Sequence, residues 1–379
     1  MLPTERISLR QAAMLLVTAL TSTGHLLFVR IVAHYAGPDD WISLIAATLA
    51  YAALFLAVIR LVSILPGRNL VEISVAVTGP VVGRVLGLVF IWYFLHVGAM
   101  LVRHFGDFIR LSMPTTPLSV VIGVTLGLVT YAAKKGIETV ARANDIVLPL
   151  LLCLGLMASV LLHKDKRYVE LLPVLELGWA PVFRGGMALL GLFAEAAVFG
   201  MFGSFLSSAD RPYHRVLWAV VVIGVLFIGP ITGSTAVFGI NSVQNMVYPT
   251  FEELKRIEVA DFVANMDVVG VFLWTLGSFV KASVFLWAAA TGLASLANLG
   301  DYRPVITPLS LIMGGLAILI GGNGPEVQRF LNVTYPIYGI AVGILLPWLL
   351  LALAWIRRPR HASGVSGNLG AGAPHQGEQ

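Results

Sequence analysis

Long apolar runs separated by short polar breaks make up most of this chain. A helix needs roughly 20 apolar residues to cross a bilayer core. The 379-residue sequence contains ten runs near that length, so we predict an all-α membrane protein with ten transmembrane helices. These helices, numbered 1 to 10 in chain order, are predicted at residues 9–34, 41–64, 81–110, 117–133, 144–162, 184–207, 215–238, 268–298, 304–321 and 332–356.

The composition indicates an integral membrane protein. Hydrophobic residues make up 58% of the chain and charged residues 12%, whereas soluble domains have roughly a quarter charged residues. The formal charge of +5 comes from arginines and lysines scattered between the apolar runs. That distribution is typical of membrane flanks and not of a nucleic-acid-binding surface. We therefore expect membrane lipid as a partner and no nucleic acid.

The sequence lacks the motifs on which most enzymes and metalloproteins depend. The eight histidines are dispersed, and the single cysteine, Cys153, lies in an apolar run. We find no phosphate-binding glycine loop, no nucleophile elbow and no metal-ligand spacing. The protein is therefore expected to be no enzyme and to need no cofactor and no metal.

Both ends of the chain are predicted to lie in the cytoplasm. Arginines and lysines are more frequent in the segments on the N-terminal side of the membrane, which favours this orientation. The first apolar run continues to about Ala33 without a small-residue cleavage site, so we interpret it as a retained helix and not as a signal peptide. The membrane domain is expected to span residues 1–360, and residues 361–379 to form a disordered cytoplasmic tail.

Helices 1 and 6 contain small and polar residues where a membrane helix is normally apolar. Helix 1 carries TSTGH, Thr21 to His25, and helix 6 carries Gly191, Glu195, Gly200 and Gly203. Interruptions at matching positions of two halves are typical of transporters built from inverted repeats with broken helices. The alternative is that the small residues only let helices pack closely.

Ten helices divide into five plus five, and helices 1 and 6 each begin a half. Because each half has an odd number of helices, the second half must be inverted relative to the first. We predict a first repeat at about residues 9–162 and a second at about 184–356, with helices 1 and 6 broken.

Two charged residues lie deep inside predicted helices, Glu195 in helix 6 and Lys281 in helix 8. Each is roughly 17–20 Å from the outer end of its helix at 1.5 Å per residue. A charge at the bilayer centre costs at least about 2.5–3.5 kcal/mol, so it normally faces a partner or water. Either the two residues form an ion pair, or Glu195 carries a coupling proton, or Glu195 binds the ammonium group of a ligand.

Three further polar side chains are candidates for the same region. Tyr93 and His96 lie near the middle of helix 3, where either could bind a ligand or Glu195. His25 ends the interruption of helix 1 and is a candidate proton relay or helix cap. The alternative for each is an inward-facing polar group that a neighbouring residue satisfies.

A short amphipathic helix is predicted between helices 7 and 8. The segment YPTFEELKRIEVADFV begins with Tyr248, and its proline start and helically spaced apolar residues indicate a helix lying on the outer face. It is either a gate over a binding site or a solvated cap.

Five segments resemble the GerAB/GerKB family of spore-germination membrane proteins, within the amino acid–polyamine–organocation transporter superfamily. They occur in family order and spacing over most of the chain, and the third and fifth are the most specific. FAEAAVF, around Glu195, also looks like helix 6 of the family, although Ala194 stands where the family usually has glycine. The five segments are ISLRQ at 7–11, PGRNLVEI at 66–73, KKGIETVARANDIVLP at 134–149, LPVLELGWAPVFRGG at 172–186 and YPTFEELKRIEVADF at 248–262.

The resemblance implies a LeuT-like fold and a B-type subunit of a germinant receptor in the inner membrane of a bacterial spore. It also implies partnership with an A-type and a lipidated C-type subunit, and recognition of a small germinant such as an amino acid. Two other functions stay open: a proton-coupled amino acid permease, and a scaffold whose pocket is degenerate.

In such a fold the ligand would lie where helices 1 and 6 are broken. Freed backbone N–H groups attract a carboxylate there, and freed carbonyls attract an ammonium group. Helix 1 would offer its backbone to the ligand carboxylate, and helix 6 would shape the pocket for the ligand side chain. The candidates are Thr21, Ser22, Thr23 and Gly24 in helix 1, and Phe193, Ala194, Ala197 and Phe199 beside Glu195 in helix 6.

Overall fold

The computed structural model describes residues 5–207, 211–257, 266–321 and 324–357, which are almost entirely helical. Eight segments within these ranges are long and apolar enough to cross a membrane. The first, Leu9–Ile64, turns at Gly37–Asp39 and so contains two helices, and Arg303–Leu319 is a shorter apolar helix. With these two additions, the described residues form the ten helices that the sequence predicts. The predicted tail at 361–379 lies outside the described residues.

The helices follow the predicted order, and helices 5, 6 and 10 begin several residues earlier than predicted. Helix 5 begins at Ile137 because Gly136, at a φ of +97°, turns the chain immediately before it. Charged residues in its first turns hid this start from the apolar pattern. In order, the helices are Leu9–Thr23 with Val29–Ala36, Asp40–Leu54 with Leu56–Ile64, Pro80–Ser112, Leu118–Lys135, Ile137–Leu161, Trp179–Phe193, Leu217–Phe238, Met266–Leu296, Arg303–Leu319, and Gly324–Arg329 with Tyr335–Ile340 and Leu346–Arg357.

Helices 1 and 6 depart from α geometry where the sequence predicts breaks. Helix 1 contains a π-helical turn at Gly24–Phe28, and helix 6 continues beyond Phe193 as a 3-10 helix over Ala194–Ser204. Such departures occur frequently at functional sites. The chain stays helical through both interruptions, so the breaks change the helical hydrogen bonding without leaving an extended segment.

Helices 6 and 10 touch through their backbones. A methyl group on Gly191 would overlap Pro336 of helix 10, and one on Gly343 would overlap the carbonyl oxygen of Ala194 in helix 6. Small residues allow such close approach between membrane helices. The contact brings helix 10 directly against the point at which helix 6 changes geometry. Helix 8 packs against helices 1 and 3 on another side of this region.

Ten crossings leave Ser8 and Arg357 on one face of the protein, which we call the inner face in keeping with the predicted orientation. The opposite, outer face carries the short helix Pro249–Lys255, which we call the outer-face helix. It forms at the start of the segment that the sequence predicts as amphipathic. Residues 258–265 lie outside the described residues.

Candidate functional site

Glu195 and Lys281 meet in the interior of the helix bundle. The Nζ atom of Lys281 is 2.6 Å from a carboxylate oxygen of Glu195, and the side chains are 2% and 3% exposed, respectively. Buried charges are stable when they are paired and hydrogen-bonded. The geometry thus favours the ion pair among the three roles considered for Glu195.

Each member of the pair has a further partner. The hydroxyl of Tyr335 in helix 10 donates a hydrogen bond to the other carboxylate oxygen of Glu195. Lys281 donates one to the hydroxyl oxygen of Thr23 in helix 1. These four residues, which we call the buried quartet, join helices 1, 6, 8 and 10 at one point.

The local structure of helix 1 follows from close packing on both sides of Thr23. A methyl group at Gly277 of helix 8 would overlap Ser22, so glycine lets the two helices approach closely. Gly24 lies against the ring of Phe227 from helix 7, where no side chain would fit. Immediately after Thr23, the chain enters the π-helical turn. Helix 1 therefore changes geometry at the residue that contacts Lys281.

Further tyrosines lie near the Glu195 carboxylate. Tyr51 of helix 2 and Tyr93 of helix 3 are close enough to interact with it electrostatically. Their hydroxyls are buried and have no hydrogen-bond partner among the described residues. The ring of Tyr338 in helix 10 packs edge-on against Tyr93 at 5.2 Å between centroids. A buried hydroxyl without a protein partner is a group that a ligand or water can satisfy.

The structure separates some predicted helix 6 residues from the quartet. Phe193 packs against Tyr51 of helix 2 and Phe227 of helix 7, with ring centroids 5.8 and 6.0 Å away. Phe199 packs against Phe55 of helix 2, at 5.7 Å. Ala194 and Ala197 are fully buried, and Ala194 contacts helix 10. Of the two predicted phenylalanines, Phe193 is the one that contacts Tyr51 and also shares a neighbour, Phe227, with helix 1.

The predicted histidines lie beside the quartet without belonging to it. The ring of His25 packs against Phe227 at 4.6 Å, and its backbone carbonyl accepts a hydrogen bond of 2.7 Å from the Thr250 hydroxyl. His96 contacts Tyr338, at 5.5 Å between rings. His25 thus connects the helix 1 turn with the outer-face helix.

The hydroxyls of Thr21 and Ser22 bond the backbone of their own helix. Thr21 donates to the Val17 carbonyl at 2.7 Å, and Ser22 donates to the Ala19 carbonyl at 3.3 Å. This is the usual behaviour of hydroxyl residues inside membrane helices. It leaves Thr23 as the hydroxyl of TSTGH that points to the charged pair.

Sequence reasoning missed Tyr335 and Tyr51. Both are tyrosines in apolar helices. The hydroxyl of a buried tyrosine usually has a hydrogen-bond partner, but the sequence does not show which neighbouring helix supplies that partner. The signal in helix 10 was YPIY at 335–338, which places two hydroxyls within one turn.

Comparison with known proteins assigns the chain to a family. Residues 6–320 match the family described as "Spore germination protein". The chain belongs to this spore germination protein family. Spore germination protein XB of Bacillus anthracis is 22% identical over 349 residues, which cover 92% of this chain and 97% of that relative. Spore germination protein KB of Bacillus subtilis (strain 168) is 24% identical over 366 residues, covering 94% and 97%.

Solved transporters share the fold of this spore germination family member. MhsT in complex with L-phenylalanine superposes with a TM-score of 0.68 at 13% identity, covering 92% of this chain and 89% of MhsT. Mhp1, a nucleobase-cation-symport-1 family transporter solved with bromovinylhydantoin, gives 0.58 at 15% identity, covering 94% and 80%. The predicted family and LeuT-like fold are confirmed, and the protein is an integral membrane protein. The ligand-binding roles of individual residues stay predictions.

Proposed function

We propose that this protein is the B-type subunit of a germinant receptor in the spore inner membrane. It binds a small germinant, an amino acid, beside the buried quartet and signals germination through A-type and lipidated C-type subunits. The observation that carries this proposal is the quartet itself. The protein belongs to the spore germination family and has a transporter fold. Its buried quartet joins the interrupted helix 1 to helices 6, 8 and 10.

Glu195 orients this site and does not bind the germinant directly. Tyr335 and Lys281 engage its two carboxylate oxygens, and Lys281 already balances its charge, so the pair needs no ligand ammonium group. The buried hydroxyls of Tyr93 and Tyr51 are the groups that a ligand would satisfy. The ligand carboxylate would accept a hydrogen bond from Tyr93 and face the backbone of the helix 1 turn.

A thermal-shift screen of the purified protein against the amino acids tests the proposal. A ligand at about one hundred times its Kd stabilises the native state by about 2.7 kcal/mol, which raises Tm. Tyr93→Phe should weaken this response by roughly tenfold or more in Kd, since a hydrogen bond to a charged group is worth about 1.5–3 kcal/mol.

Tyr131→Phe is the matched control, because Tyr131 lies on the surface of helix 4 with 64% of its area exposed. It should respond like the unaltered protein. The amino-acid proposal is wrong if no amino acid raises Tm, and the assignment of the site is wrong if Tyr93→Phe binds as tightly as Tyr131→Phe.

A proton-coupled amino acid permease is the second candidate. It is favoured by the complete transporter fold and by a buried carboxylate that contacts an ammonium group, an arrangement in which a proton can be exchanged.

A further inference from the structure

The outer-face helix connects three membrane helices around the turn of helix 1. Thr250 donates to the His25 carbonyl within that turn. Phe251 packs between Phe108 of helix 3 and Trp274 of helix 8, at 5.1 and 5.8 Å between ring centroids. This short helix therefore covers the outer side of the segment that leads directly to Thr23 and the buried quartet.

Glu253 on the outer-face helix points into the protein. The residue is 4% exposed, and its carboxyl accepts a hydrogen bond from Ser234 of helix 7. Gly233, next to Ser234, leaves room for the carboxyl and for the side chain of Lys166 beside it. The neighbouring Glu252 is on the solvent side, where it pairs with Lys255 at 2.8 Å. The helix thus has one acid in solvent and one acid against the membrane helices.

A buried carboxyl is an unusual anchor for a surface helix, because burying it in the charged form is costly. An apolar residue at position 253 would dock the helix without that cost. The use of an acid makes docking dependent on whether the carboxyl holds a proton.

We propose that the outer-face helix is a lid over the helix 1 turn, and that proton binding to Glu253 holds the lid closed. The lid adds to the proposed germinant-binding function, and its test involves no germinant, so either proposal can fail without the other.

Few other charged groups act on this carboxyl. Helix 7 has no ionisable side chain over Leu217–Phe238. Around the helix 1 turn, the His25 ring faces Phe227, the Arg30 guanidinium bonds the Gln244 carbonyl, and His34 packs against Tyr35. In helix 3, Arg103 pairs with Asp107. In helix 8, Asp267 bonds the backbone of Val268, and Lys281 pairs with Glu195. Lys166 is the cation that acts on Glu253.

The direction of the pH effect follows from burial. Burial raises the pKa of the Glu253 carboxyl from 4.5 to about 8, against the opposing effects of the Ser234 hydrogen bond and the Lys166 charge. With the lid open, the solvated carboxyl returns to its ordinary pKa. Between pH 4.5 and about 8 the closed lid holds a proton that the open lid releases. Each pH unit in this window should favour opening by about tenfold, and the effect should level off above it.

Cysteine labelling measures the opening. In the full-length protein with Cys153→Ser, Leu254→Cys places a thiol on the buried side of the lid, where Leu254 contacts Gly270 of helix 8. Glu252→Cys places one on the exposed side and corrects for the intrinsic pH dependence of thiol reactivity. The ratio of their maleimide labelling rates should rise by about tenfold per pH unit between pH 5 and 7.

Two variants decide whether Glu253 is responsible. Glu253→Gln keeps the shape and removes the ionisation, so the ratio should become independent of pH. Lys166→Gln removes the cation that favours the charged carboxyl, so the plateau should move to higher pH. An unchanged pH profile in both variants would overturn the proposal, as would equal labelling at positions 254 and 252 at every pH.

Discussion

At the scale of single residues, the charges of Glu195 and Lys281 lie in surroundings of low polarity, where each depends on the other. Their contact of 2.6 Å is supplemented by Tyr335 and Thr23, so each group is held by two partners from different helices. Removing one partner of a buried pair leaves an uncompensated charge, whereas removing both does not. The coupling energy of the pair is therefore best measured by substituting Glu195 and Lys281 singly and together.

Lys281→Ala should destabilise the protein by about 3–5 kcal/mol, because it leaves the Glu195 carboxylate unpaired. Adding Glu195→Gln should recover part of this loss, with a coupling energy of at least about 1 kcal/mol. The measurement is the free energy of unfolding, in one detergent, of the unaltered protein, Lys281→Ala, Glu195→Gln and the double variant. The coupling energy follows from these four values.

The exposed pair Glu138–Arg142, at 2.7 Å on the first turns of helix 5, is the control. Its coupling should be about 0.3–0.5 kcal/mol, as for other exposed helical pairs. A coupling between Glu195 and Lys281 no larger than this would contradict the ion-pair interpretation.

At the scale of elements, the interrupted helices are positioned by glycines of their neighbours. Gly343 lets helix 10 reach the Ala194 carbonyl, where helix 6 becomes 3-10, and the same approach brings Tyr335 to Glu195. The geometry of helix 6 is thus supported from outside the helix. Local sequence in helix 6 does not determine it alone.

Gly343→Ala should destabilise the protein by about 1–3 kcal/mol, because the added methyl group overlaps the Ala194 carbonyl oxygen and forces helices 6 and 10 apart. The measurement is Tm of the purified protein. Gly315→Ala in helix 9 is the control, since nothing lies within 4 Å of the added methyl group. It should be neutral or stabilise by up to about 1 kcal/mol. Equal Tm values for the two variants would contradict the packing argument.

The same contacts explain how far the site could be predicted from sequence. Glu195 and Lys281 stood out because a charge in an apolar run is rare, and their equal depth predicted that they could meet. TSTGH marked the position of the helix 1 interruption but not its π-helical form, which forms where Phe227 of helix 7 and Gly277 of helix 8 pack against helix 1. Tyr335 joins the site only through the approach of helix 10. That approach is a tertiary contact, which YPIY at 335–338 does not reveal by itself.

At the scale of the whole molecule, a complete transporter fold serves a member of a spore germination family. The fold supplies ten helices around one polar centre, and it supplies the outer-face helix over one side of that centre. A receptor needs only to bind and to change conformation, whereas a permease must also release its ligand on the other side. The two functions therefore differ in whether the ligand crosses the membrane, and both can use the same fold.

The protein reconstituted alone in vesicles should bind an amino acid without accumulating it. Uptake of labelled amino acid under an imposed pH gradient is the measurement, and vesicles with the same protein and no gradient are the control. Accumulation that requires the gradient and is lost in Glu195→Gln would establish the permease instead of the receptor.

The backbone contact between helices 6 and 10 has a mechanical consequence. Where a glycine lies directly on a neighbouring carbonyl, no flexible side chain separates the helices, so a displacement of one is passed to the other. A ligand that moves Ala194 therefore also moves Gly343 and the end of helix 10. There, Arg357 donates a hydrogen bond of 2.7 Å to the Val77 carbonyl at the inner face. A change at the buried site therefore reaches this junction, which lies at the inner surface of the protein.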